Sequence, residues 1–291
     1  MLLSSFIDEA TRALLGLYPR EEARSIVLWL TQDLLGTGRH THITEPEYRI
    51  PPTLEEPLQQ ALSRLAKGEP IQYVLGYAEF CGLRFAVRPG VLIPRPETED
   101  IVRRAVTLKP ARVLDLCTGS GCIAWSIALL AGCRDVVGVD ISPVALSVAS
   151  SQATSLGDAI PKDFAPPVFI QADVLGAPPA GLGNFGLIVS NPPYILESEK
   201  PLMRPNVLEH EPALALFVPS DDPLLFYRAI ARWSRLLLAD SGHGITEINE
   251  NFGREVAAVF AAEGFINVGT EEDFFGKKRF ITYQKRPSTA L

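Results

Sequence analysis

From Arg112 onward, short apolar runs alternate with helical segments, and that alternation leaves few folds open. Val113-Leu114-Asp115-Leu116 reads as one buried strand and Val136 to Val139 as a second. Val168-Phe169-Ile170 reads as a third, and Leu187-Ile188-Val189 as a fourth. Runs that are apolar without alternation suit strands covered on both faces. Ser142-Pro143 supplies a cap and a first-turn proline for the helix after the second strand. Further on, Pro223 to Ala239 reads as helix, Gly244 to Ile248 as strand and Arg254 to Glu263 as helix. The expectation is an α/β domain whose mostly parallel sheet carries helices on both sides.

The first 75 or so residues have a different period. Leu3, Phe6, Ile7, Ala10, Leu14 and Leu17 recur at helical spacing, as do Ile26, Val27, Leu30 and Leu34 ahead of a capping Gly36. Thr53 and Glu56 form a capping-box pattern before Leu54, Leu58, Ala61, Leu62 and Leu65, and Gly68 ends that run. A small helical bundle is expected here. With seven basic and ten acidic residues in 1–75, it has no nucleic-acid-binding character. Phe80, Leu83, Phe85 and Val87 around Gly82 suggest a short hairpin between the two regions.

Composition narrows the function classes. The net charge of −7 argues against a protein that grips nucleic acid through its phosphates. Cys81, Cys117, Cys122 and Cys133 show neither a CxxC pair nor a paired histidine spacing, so reduced thiols are expected, not a disulfide frame or zinc site. No apolar run approaches a membrane span, and Asp8 and Glu9 do not suit a targeting peptide. No extended hydrophobic interface is legible, so a cytoplasmic monomer is expected, bacterial in the first instance, with an organelle matrix as the other possibility.

The chemistry-bearing residues cluster at strand ends. Asp115-Leu116-Cys117-Thr118-Gly119-Ser120-Gly121-Cys122 follows the first strand; glycines there let a ligand approach the backbone, and the next helix offers free N–H groups. Ala124 keeps the spacing compatible with a dinucleotide fingerprint too. Asp140, 19 residues after Gly121, ends the second strand where a carboxylate accepts hydrogen bonds from a ribose. Asp173, with Val174, ends the third, where an adenine amino group could be read. Each alone is an ordinary turn or cap; together Asp115, Asp140 and Asp173 describe a nucleoside pocket.

Asn191-Pro192-Pro193-Tyr194 directly follows the fourth strand. The prolines fix the backbone direction and carry no N–H. The Pro192 carbonyl and the Asn191 side-chain oxygen can then converge on one NH2 group. A planar nitrogen has its lone pair delocalised, and two acceptors holding its hydrogens turn that pair toward an electrophile. Tyr194 offers an aromatic wall for a planar amide or base.

On these features the chain resembles class I S-adenosyl-L-methionine-dependent methyltransferases acting on planar amino nitrogens. More closely, it resembles the HemK/PrmC family of protein-glutamine methyltransferases. Gly68 to Gly76, Phe80-x-Gly82-Leu83-x-Phe85 and Val91 to Glu99 match that family's linker. Asn191 to Tyr194, Glu211 to Leu216 and Phe226-Tyr227-Arg228 match its catalytic half. Leu92-Ile93-Pro94-Arg95-Pro96-Glu97-Thr98-Glu99 is the most family-specific string.

The resemblance implies a class I (Rossmann-like) domain with a seven-stranded sheet over 93–291, a hairpin linker over 76–92 and a helical substrate-docking domain over 1–75. It implies methyl transfer to the side-chain amide (N5) of the glutamine in the Gly-Gly-Gln tripeptide of peptide-chain release factors, with S-adenosyl-L-homocysteine as product and no metal. Implied cofactor contacts are Cys117, Thr118, Gly119, Ser120, Gly121, Asp140, Asp173, Val174 and Asn191. Implied substrate contacts are Asn191, Pro192, Pro193 and Tyr194, with catalysis assigned to Asn191, Pro192 and Tyr194. Cys117 stands where many members have glycine, and a positive φ there would strain it.

His40, His42, His210 and His243 are assigned no role, since an alkylated amide nitrogen is acidic enough to lose its proton to water. Three other readings stay open. A DNA adenine-N6 or rRNA guanine-N2 methyltransferase would use the same four-residue motif on a flipped base. A non-catalytic docking module and a nicotinamide dehydrogenase are the others; the first predicts a damaged motif, and no hydride-transfer acid is apparent for the second.

Overall fold

A computed structural model describes residues 1–288. The chain divides into two compact units, one formed by Met1–Tyr77 with Arg204–His210 and the other by Ala78–Met203 with Glu211 onward.

In the first unit, helices Leu3–Ala13, Arg20–Leu35 and Pro52–Leu65 enclose Leu3, Phe6, Ile7, Ala10, Leu14, Val27, Leu30, Leu58 and Leu65. Gly36 takes the left-handed cap, at φ 64°. Two readings of the helix ends differ from the sequence pattern. The first helix stops at Ala13, so Leu17 lies beyond it and is exposed. Thr53 caps nothing: Pro52, with φ preset for a first helical residue, starts the helix one position earlier on Pro51. The Glu56 carboxylate instead accepts from Gln60, one turn on.

The hairpin Tyr77–Phe80 and Leu83–Ala86 turns through Cys81 (φ 52°) and Gly82 (φ 74°). Two consecutive positive φ values match the twist of the flanking strands.

The second unit holds a seven-stranded sheet. Its strands are β1 (Arg112–Leu116), β2 (Asp135–Asp140), β3 (Val168–Gln171) and β4 (Phe185–Ser190), then β5 (Leu238–Glu247), β6 (Ile266–Glu272) and β7 (Lys278–Gln284). Their order across the sheet is β6-β7-β5-β4-β1-β2-β3. All neighbours are parallel except β7, which runs antiparallel to both β5 and β6. Alternate residues feed two cores. Leu114, Leu116, Ile188 and Ile281 pack on one face with Tyr227, Trp233 and Phe260. Val113, Leu187, Val189 and Phe280 pack on the other with Ile101, Ile123 and Trp125. Both faces are dry, which is why the strand runs lack polar alternation. The Ser142 hydroxyl accepts from the Ala145 N–H and Pro143 opens the helix Pro143–Leu156, as the sequence predicts.

The parallel strands aim their carboxyl ends at one edge. The order reverses between β1 and β4, and ligands of open α/β sheets bind in the crevice at such a switch point.

Candidate active site

The turn after β1 is held from below. Asp115 is fully buried, and its Oδ2 accepts the Thr118 hydroxyl at 2.5 Å. Burial pushes the Asp115 carboxyl up to about 7 against the pull of that bond. Cys117, Gly119 and Gly121 all have positive φ, at 58°, 57° and 77°. The two glycines serve different purposes. A Cβ on Gly119 would meet open space, whereas one on Gly121 would lie 2.9 Å from the Ala149 Cβ and 3.0 Å from Phe169 Cζ. Packing of the helix and β3 requires Gly121 to be small, whereas Gly119 lines the cleft with open space at its Cβ position. Cys117 adopts the left-handed conformation despite its side chain, and burial followed by the nearby Asp140 and Asp115 raises its thiol well above the usual range.

A cleft of about 860 Å³, including its solvent-open mouth, runs along the carboxyl edge. It is lined by Cys117, Gly119, Asp140, Asp173, Val174, Asn191 and Pro193 from the expected set. Asp115, Thr118, Ser120, Gly121, Pro192 and Tyr194 are not among the lining residues. Thr118 and Ser120 are buried beneath the turn. No histidine lines the cleft among the described residues.

Asp140 uses one oxygen for the Gly119 N–H at 2.8 Å and the other for the Ser142 N–H at 2.9 Å. Each carboxylate oxygen keeps a second lone pair. Burial raises the Asp140 pKa, and the backbone donors of Ser142, Gly119 and Ile141 oppose the rise. Asp173 is exposed, and its Oδ1 accepts the Leu175 N–H at 2.8 Å. Val139, Ala145 and Val174 supply an apolar floor between these carboxylates. Such a mix of apolar wall and a few convergent polar groups is the usual build of a small-molecule site.

The other end of the cleft is anchored more widely. Ser190 ties the end of β4 to β1 through Oγ to the Leu116 carbonyl, 2.8 Å. Asn191 Nδ2 donates to Thr98 Oγ1 at 3.2 Å, and Thr98 donates to Glu247 Oε2 at 2.7 Å. The Tyr194 hydroxyl donates to Glu247 Oε1 at 3.0 Å, and Asn249 Nδ2 donates to the Tyr194 carbonyl at 3.3 Å. Tyr194 is thus held by its hydroxyl and its carbonyl; burial and then Glu247 raise its phenol well above the usual range.

Sequence reasoning gave no role to Thr98, Glu247 or Asn249. A signal for Glu247 existed: it ends β5 at the same carboxyl edge where Asp140 ends β2 and Asp173 follows β3. Nothing in spacing marks the Arg95–Glu211 pair, 2.7 Å apart, whose carboxylate also accepts the Ile93 N–H at 3.1 Å. That pair joins the 91–95 segment to the Pro212–Ala215 segment, and both contribute to the cleft wall.

Strand order with a single antiparallel strand, a strained Gly-rich turn after β1 and acidic ends on β2 and β3 define a class I methyltransferase. Residues 6–76 match the family model described as PrmC N-terminal domain. The chain is 40% identical over 273 residues to the release factor glutamine methyltransferase of Bacteroides thetaiotaomicron, covering 93% of this chain and 96% of the relative. It is 33% identical over 288 residues to that of Flavobacterium psychrophilum, covering 97% and 98%. Identity to that of Geobacter sulfurreducens is 37% over 273 residues, covering 93% of each. The chain belongs to the release factor glutamine methyltransferase family. Among the described residues, no helix is long and apolar enough to cross a membrane, and no group of three or more His, Cys, Asp or Glu side chains could hold a metal ion.

Proposed function

We propose that the protein methylates N5 of the glutamine side chain in the Gly-Gly-Gln tripeptide of peptide-chain release factors, using S-adenosyl-L-methionine. The single observation that carries the reading is the Asn191 amide: its NH2 is engaged by Thr98, which leaves Oδ1 as the end available to the cleft.

The cleft suits the methyl donor. Asp140 retains lone pairs for ribose hydroxyls, Gly119 leaves its Cβ position empty, and Asp173 beside Val174 offers an acceptor next to an apolar surface for adenine. When bound, S-adenosyl-L-methionine supplies an electrophilic methyl on a positively charged sulfur. Asn191 Oδ1 and the Pro192 carbonyl accept the two amide hydrogens of the glutamine. Holding both hydrogens turns the nitrogen lone pair out of conjugation and aims it along the cleft. The released proton passes to water, so no basic side chain is required at the nitrogen. Catalysis is then chiefly orientation in a site that excludes bulk water.

Residues 1–75 act in this reading as the release-factor docking domain, 76–92 as a linker and 93–291 as the catalytic domain, in a cytoplasmic monomer that does not bind nucleic acid directly.

Incubation with recombinant release factor and S-adenosyl-L-methionine, followed by peptide mass spectrometry, should add one CH2 to the Gly-Gly-Gln peptide. DNA and rRNA in parallel reactions should acquire no label. Asn191→Ala should still bind S-adenosyl-L-homocysteine measurably while turnover falls at least about 100-fold, the scale of losing one aimed polar group. Full turnover by that variant would refute the two-acceptor clamp.

A further inference from the structure

The Asn191 amide can act as an acceptor only if its oxygen, not its NH2, faces the incoming glutamine. A primary amide is nearly symmetric in shape, so packing alone does not choose between the two orientations. The choice is made by hydrogen bonding. Glu247 is 1% exposed, at the carboxyl end of β5. An ionised carboxylate only accepts. Thr98, 2% exposed, lies 2.7 Å from Oε2 and must spend its single proton there. Its oxygen can then only accept from Asn191, whose Nδ2 lies 3.2 Å away. The reversed amide would set two acceptors against each other.

We propose that Glu247, acting through Thr98, is a positioning residue that fixes the direction of the Asn191 amide and so keeps Oδ1 turned to the methyl acceptor. The inference rests on the two-acceptor reading above and deepens it. Tyr194 completes the arrangement by donating to the second carboxylate oxygen at 3.0 Å, so both oxygens are occupied by hydroxyl protons.

The relay has a direction only while Glu247 is ionised. A protonated Glu247 carries its own donor and displaces one of the two hydroxyls; if Thr98 yields, its proton turns toward Asn191 and the amide reverses. Burial raises the Glu247 pKa above its ordinary value. Thr98, Tyr194 and Arg279 oppose the rise, and Glu97 adds to it. Tyr227 also feels the Glu247 charge, and Arg279 is itself paired with Asp273 at 3.1 Å. Turnover should therefore fall on the acid side as Glu247 gains its proton, at a pH above that of an ordinary glutamate.

The test is steady-state kinetics of the full chain with release factor and S-adenosyl-L-methionine. Thr98→Val should lower kcat by about 100-fold, the scale expected for a misaligned reacting group. KM for release factor and affinity for S-adenosyl-L-homocysteine should be unchanged. Thr98→Ser, which restores the hydroxyl, should recover most of the loss. Glu247→Gln cannot titrate, so the acid limb of its kcat profile should vanish, with a loss at neutral pH smaller than that of Thr98→Val. Equal losses in the Val and Ser variants, a loss confined to KM, or wild-type kcat in Thr98→Val would overturn the proposal. An unchanged acid limb in Glu247→Gln would do so independently, even if Thr98→Val failed to fold. Asn191→Ala separates the two levels: if it is inactive while Thr98→Val is active, only the relay fails; if it is active, the clamp and the relay fail together.

Discussion

The two ends of the cleft are built by different means. At the Gly-rich turn the fixing bonds are short in sequence: Thr118 to Asp115 spans 3 residues, Asp140 to Ser142 spans 2, and Gly119 to Asp140 spans 21. At the Asn191 end they are long: Tyr194 to Glu247 spans 53, Asn191 to Thr98 spans 93, and Thr98 to Glu247 spans 149. The turn is shaped by its own backbone and the next strand. The Asn191 end takes its geometry from three segments that meet only when the sheet is complete. Cofactor binding and substrate orientation should therefore be separable by mutation.

Asp140→Ala makes that comparison sharpest. It removes a carboxylate that holds the Gly119 N–H, so affinity for S-adenosyl-L-homocysteine should drop by about 10- to 100-fold, the worth of one or two charge-assisted hydrogen bonds. Calorimetry of this variant beside Thr98→Val should show the opposite pattern of binding and turnover. A common loss of binding in both would mean that the two ends are not independent.

Gly121→Ala tests whether the turn is set by packing. The new Cβ would meet Ala149 and Phe169 at a positive φ, so the variant should be destabilised by about 3 kcal/mol, read from urea unfolding. Gly119→Ala, with open space at its Cβ, should share the backbone strain and lack the clash.

The last effect is one of pH and concerns Asp115. Its folded pKa, about 7, lies above the ordinary aspartate value of 3.8, so the folded state holds this proton more tightly. The resulting stability is fully present below about 4 and is lost as pH rises to about 7, at roughly 1.4 kcal/mol per pH unit. Asp115→Asn should flatten that part of the stability profile, measured by thermal melting from pH 4 to 8. An unchanged profile would place the ionisation elsewhere.

Much of the site could be read in advance because it obeys local rules. Gly119, Asp140, Asp173 and Asn191 each follow a strand whose apolar run is evident, and parallel strands bring their ends to one edge whatever the details of packing. Thr98 could be quoted as part of a family string without its purpose being visible, since its place just before the helix Glu99–Leu108 gives no hint of Glu247. The packing demand on Gly121 is hidden for the same reason: sequence shows a small residue and not which neighbour needs the space.

Periodicity and strand-end chemistry by themselves determined the helical first unit, the doubly covered parallel sheet and the edge on which the cleft lies, because apolar burial and backbone direction follow from nearest neighbours in the chain. Tertiary structure alone decided which glycine lines the cleft, which acidic strand end is buried and which way the Asn191 amide points. Those are settled by contacts and single protons shared between segments up to 149 residues apart, and such partners exist only once the chain has folded.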